Sequence, residues 1–118
     1  LKKEDILSGV NAVWATAIVG DSEHQKWGVL ISNDHRTPAT NVRVECNGNR
    51  HSKQLTHPNV QPGQHFFESL PQVERGRSWA LPTTNFDSRD FITGSQKYET
   101  KKISFRFGGK DYSKDITE

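Results

Sequence analysis

The 118-residue chain contains no methionine, not even at its first position, and only one cysteine, Cys46. A single thiol cannot close an intrachain disulfide, so a disulfide-stapled scaffold is excluded. The missing methionine leads to the expectation of a processed product or an excised piece of a larger protein. No run of about 18 apolar residues is present, so no segment reads as a membrane-spanning helix. No basic stretch followed by an apolar one opens the chain, and no signal peptide is read. Asn-x-Ser/Thr sequons, internal repeats and low-complexity segments are also missing.

Charge of one sign is lacking too. Lys and Arg total 16 against 14 Asp and Glu, a formal net charge of +2. Nucleic-acid binders concentrate basic residues on one face. Here they are scattered, and the densest spot, Lys101-Lys102 followed by Arg106, reads as a solvated strand face. No nucleic-acid partner and no membrane insertion are expected.

Motifs for chemistry are equally sparse. There is no G-x-S-x-G nucleophile elbow. His24, His35, His51, His57 and His65 form neither H-x-H nor H-x-x-x-H, and no cysteine pair exists to complete a zinc site. Asp87 and Asp90 share a loop, but the Asp-x-Asp-x-Asp-Gly calcium pattern is missing. Cys46 falls in phase with Val42 and Val44 and reads as a buried small hydrophobe. No catalytic, cofactor-binding or metal-binding residue is therefore nominated, and the chain is expected not to be an enzyme. An enzyme with a site assembled from loops is the least favoured alternative.

What is present is a succession of short β-type segments in a chain that is 31% hydrophobic and 9% aromatic. Residues 1–9 are helix-like but too short to stand alone, and read as a lead-in or linker. Val10–Val19 reads as a strand, apolar in both parities and closed by Gly20-Asp21-Ser22. Further strands are expected over Trp27–Ser32, Asn41–Cys46, His51–Thr56, Gln64–Leu70, Ser78–Leu81, Lys102–Phe107 and Lys110–Ile116. Asn41–Cys46 alternates cleanly, with Val42, Val44 and Cys46 opposed to Arg43 and Glu45. Asn47-Gly48, Pro62-Gly63 and Gly108-Gly109 supply turn chemistry. Residues 57–63 read as a loop. Residues 82–100 lack periodicity and read as a long loop, with one helical turn at Ser88–Ile92. Seven to eight strands with turns every 8–12 residues predict an all-β fold, a single antiparallel sandwich over residues 10–118. The core is expected from Val13, Val29, Ile31, Val42, Val44, Leu55, Phe67, Trp79, Ile103, Phe105 and Tyr112.

The string WGVLISNDHRTPATNVRVECNG over residues 27–48, with VQPGQ at 60–64, resembles bacterial immunoglobulin-like sandwich modules. In these a strand ends in Asn, a short Pro-containing loop follows, and a Pro-Gly turn precedes a later strand. The ending ISFRFGGKDYSKDITE resembles the terminal hairpin of uncharacterised actinobacterial domains of this type, with Tyr112 where Trp is common. The resemblance covers about two-thirds of the chain. It implies an immunoglobulin-like topology and a modular accessory role, and it brings no active-site residue with it. The Cys…Trp…Cys spacing of antibody domains is missing.

Function is therefore expected at the level of a non-enzymatic interaction module, part of a larger bacterial protein, with another protein as partner. A carbohydrate-binding domain and an inhibitor or immunity-type protein are the alternatives. Trp14, Trp27 and Trp79 suit a sugar-stacking platform, but Trp27 is in phase with Val29 and Ile31, which favours core. A soluble domain is expected, and the sequence does not choose its compartment. An up-and-down trace puts loops 33–40, 57–63 and 82–100 at one pole, with tight turns Asn47-Gly48 and Gly108-Gly109 at the other. Clustered end loops on a rigid body commonly carry binding. The partner-binding candidates are Asp34, His35, Arg36, His57, Asn59, Asp87, Arg89, Asp90, Phe91 and Tyr98.

Overall fold

Alternating apolar residues and glycine-centred turns fold this chain into strands almost throughout. The computed structural model describes residues 1–48, 50–88 and 98–116. A single-turn helix, α1 (Lys3–Ser8), precedes β1 (Val10–Val19), β2 (Gln25–Asn33), β3 (Ala39–Gly48), β4 (Ser52–Val60) and β5 (Gly63–Glu74). Then follow β6 (Arg77–Trp79), β7 (Phe86–Ser88), β8 (Tyr98–Phe107) and β9 (Lys110–Asp115). No helix among the described residues is long and apolar enough to cross a membrane.

The strands form two antiparallel sheets, a five-stranded one in the order β6-β5-β2-β1-β7 and a four-stranded one in the order β4-β3-β8-β9. They face each other as an unclosed sandwich. Between them lie Val29, Ile31, Val42, Val44, Leu55, Phe67, Ile103 and Phe105, all buried as the alternation predicts, while Trp79 and Tyr112 are half-buried at its margin. Cys46 is buried in the same core.

Val13 corrects the expected core. Trp14, not Val13, faces the opposite sheet, and Val13 is 38% exposed on the outer face. Both parities of β1 are apolar because this sheet is covered on both sides. On its outer face Ala15, Ala17, Leu30 and Phe66 form a second buried cluster, closed by Val19 and Phe86. The cover is the chain itself. After β6, Thr83 exchanges two backbone hydrogen bonds with Phe66, at 2.9 and 3.1 Å, and Gly20 N then donates to Asn85 O at 2.9 Å. Residues 80–86 thus pass from the β5 edge of the sheet to the β1 edge, and β7 pairs with Ala17–Val19.

The registers fix the poles. Val10↔Asn33, Asn33↔Gly63, Ala39↔Val60 and Phe107↔Lys110 place α1, loop 34–38, turn 61–62 and the Gly108-Gly109 turn at one pole, the helix pole. Ile18↔Gln25, Asn47↔Ser52, Gly48↔Tyr98 and Ile18↔Asp87 place the other connections at the opposite one. The expected clustering of three long loops is therefore wrong. Gly108-Gly109 lies with loops 33–40 and 57–63, while Asp87 and Tyr98 lie at the far end. The trace missed the return of residues 83–86 to the far pole, where Asn85 meets Gly20 and β7 begins. The helical turn expected at Ser88–Ile92 begins on the last residue of β7 and otherwise lies outside the described residues.

Residues 57–60, read as loop, continue β4. Pro58 is tolerated because β4 is an edge strand with one paired side. Gly108 and Gly109, with φ of 57° and 79°, make the tight turn that their sequence demands.

Candidate functional site

β5 pairs with β2 only as far as Gly28↔Glu68, although β2 runs back to Gln25 and β5 runs on to Glu74. Two residues mark this parting. Gly28 has β5 pressed against it: a Cβ there would stand 2.0 Å from the Phe67 carbonyl oxygen. Pro71 has no N–H to give to a ladder. On its other edge β5 pairs with β6, through Ser69↔Trp79 and Glu74↔Arg77. The parted strands leave a groove of about 720 Å³ at the pole opposite α1, within the ~300–1,000 Å³ usual for small-ligand pockets.

Trp14, Trp27 and Tyr98 line it together with Gln25, Lys53 and Glu68. Trp14 is 3% exposed and braces the wall, its ring centroid 5.1 Å from Tyr98 and 6.4 Å from Trp79. Its indole N–H finds no acceptor among the described residues. Trp27 and Tyr98 are half-buried. The polar groups are held in place. Gln25 Nε2 donates to Thr16 Oγ1 at 3.2 Å. Lys53 Nζ donates to Ser69 Oγ at 2.5 Å and to the Leu70 carbonyl at 3.1 Å, and sits 4.5 Å from the centre of the Trp79 ring. Lys26 Nζ stands 3.9 Å from Glu68 Oε2.

Of the ten sequence candidates, Asp34, His35, Arg36, His57 and Asn59 come together at the helix pole. His35 and His57 have structural employment there. His35 Nε2 hydrogen-bonds with the Ile6 carbonyl oxygen at 3.0 Å and its ring packs 4.8 Å from Phe107, which docks α1. His57 stands edge-on to Phe67 at 5.3 Å. Its pKa is lowered, first by burial and then by nearby His65, against a raising hydrogen bond with the Asn59 backbone. Asp87 is exposed at the other pole. Tyr98 alone among the described candidates lines the groove. Arg89, Asp90 and Phe91 lie outside the described residues.

Sequence reasoning missed Gln25, Lys53 and Glu68, and favoured core over a sugar-stacking role for Trp27. The available signals were Gly28 inside a strand and Pro71 just after one, both marks of an interrupted ladder. Cys46 is no alternative centre: burial pushes its thiol pKa up to about 12 against a lowering influence of Lys53. Among the described residues no group of three or more His, Cys, Asp or Glu could hold a metal ion.

The class defined is an all-β protein of two antiparallel sheets with a groove where one sheet splits. Compared with family models, curated proteins and solved structures, the chain matches none.

Proposed function

We propose that this chain is a non-enzymatic binding module whose ligand site is the groove between β2 and β5. The observation that carries the reading is the convergence of half-buried aromatic rings and anchored polar side chains in one concave site on a rigid sheet. The inaccessible, strongly protonated thiol of Cys46 supports a role without thiol chemistry. The reading moves the expected binding surface from the loop pole to the opposite one, because the loop candidates are divided between the poles.

An immunoglobulin-like ancestry of the sandwich belongs to the same proposal. With β1, β2 and β5 as strands A, B and E, and β4, β3, β8 and β9 as C′, C, F and G, the observed orders suit that topology. β6 and β7 are then an insertion between E and F, and β6 contributes Ser78 to the groove.

The test is a titration of ¹⁵N-labelled protein with a mixed panel of peptides, oligosaccharides and small metabolites. Binding should move the Trp27 indole and Gln25 side-chain signals and leave the ligand chemically unchanged. Binding that leaves those signals still, or turnover of the ligand, would overturn the proposal.

A further inference from the structure

We infer that the groove takes a neutral saccharide, an inference that rests on the groove being the ligand site. Three features of the lining decide the class. The first is charge. Both cations on the groove are already engaged, Lys26 with Glu68, and Lys53 with Ser69 Oγ, the Leu70 carbonyl and the Trp79 ring. A phosphate or an acidic peptide would face the Glu68 carboxylate on the same groove and compete with it and with the Leu70 carbonyl for these cations. An uncharged ligand leaves them intact.

The second feature is the alternation of surfaces. Trp27 and Tyr98 offer flat apolar rings, while Gln25, Glu68, Gln72 and Ser78 offer amide, carboxylate and hydroxyl groups on the same groove. A pyranose matches such a lining, because its C–H face packs on a ring while its rim of hydroxyls both donates and accepts. A lipid chain would leave the polar groups dehydrated without partners. The third feature is preorganisation. Gln25 is held on buried Thr16, and the Glu68 carboxylate stands 3.9 Å from Lys26 Nζ, so less side-chain freedom remains to be lost on binding.

The experiment titrates the intact chain with two panels, followed by calorimetry and by amide and indole NMR shifts. One panel holds neutral di- to tetrasaccharides of glucose, galactose, mannose, xylose and N-acetylglucosamine. The other holds short peptides of neutral, acidic and basic character. At least one neutral oligosaccharide should bind saturably and shift the Trp27 and Tyr98 signals. Its affinity should change less than about twofold between low salt and 0.5 M salt, since no ion pair forms. Trp27→Ala should weaken it at least tenfold. Gln72→Ala, at an exposed position, should weaken it severalfold with the thermal midpoint unchanged, which separates binding from folding should the tryptophan variant fail to fold. A peptide that occupies the groove while no saccharide does would overturn the saccharide inference and keep the binding-module reading. Saccharide binding that maps elsewhere would overturn both, and silence of the groove to both panels would overturn the saccharide inference.

Discussion

Asn33 spends its whole side chain on the fold. Its Nδ2 donates to the Thr37 carbonyl at 2.9 Å and to the Val60 carbonyl at 3.1 Å, and its Oδ1 accepts from His35 N at 3.0 Å. Asn33 is buried and joins the end of β2 to the start of loop 34–38 and the end of β4. Asn33→Ala leaves those groups without it and should cost about 2–3 kcal/mol, measured by urea unfolding. The sequence shows Asn33 only as the end of an apolar strand, because its partners are backbone groups that no side-chain pattern marks. Cys46 was legible, since its parity with Val42 and Val44 carries it into the core. Its thiol should resist iodoacetamide at about pH 8 in the native protein and react once urea unfolds the chain, as read by intact mass. Prompt native labelling would mean that β3 is not packed as described. Trp14 was not legible, because Val13 and Trp14 are both apolar and only the covered outer face decides between them.

Among the elements, legibility follows the regularity of the ladder. β3 and the second half of β8 alternate cleanly and were placed. The first half of β8 was not, and the reason is a bulge. Glu45 pairs with Lys102 but Cys46 pairs with Thr100, so Lys101 is the extra residue and the inward parity flips there. Ile103 and Phe105 face the core after it, while Thr100 faces the core before it, with its Oγ1 donating to the Ala12 carbonyl at 3.1 Å. A period-two reading started from Phe105 therefore dissolves at Lys101 and yields an apparent loop. Phe105 itself is buried, with its ring stacked 5.7 Å from Tyr112 on β9. Phe105→Ala should cost about 3–5 kcal/mol. An unchanged thermal midpoint would show that the phase of β8 is wrong.

At the scale of the whole molecule, the groove was illegible because it is made by divergence. Gln25 and Glu68 are far apart in sequence; the pairing of β2 with β5 brings them to one region, and the parting beyond it opens the groove that both line. Stability against pH is likewise a property of the assembled molecule. His57 has a folded-state pKa below its unfolded value, so the unfolded chain takes up its proton first as pH falls. The associated stability is complete above about pH 6.5, the unfolded value, and is lost as pH falls through the folded one. The urea midpoint should therefore decline on acidification below about pH 6.5, and His57→Gln should flatten that decline. A profile unaffected by the substitution would place the dependence elsewhere. One more consequence follows from the crossing of residues 80–86 over the outer face of the five-stranded sheet. β7 has no seat until β1 is paired with β2, and the crossing has no anchor until β5 is in place. This segment thus depends on the rest of the sheet for its seat. The amides of Gly20 and of Phe86–Ser88 should exchange with deuterium long before those at the centre of β1 and β2, through an opening smaller than global unfolding. That opening bares Ala15, Ala17, Leu30 and Phe66 together with a free strand edge, so on warming the chain should begin to self-associate before it melts.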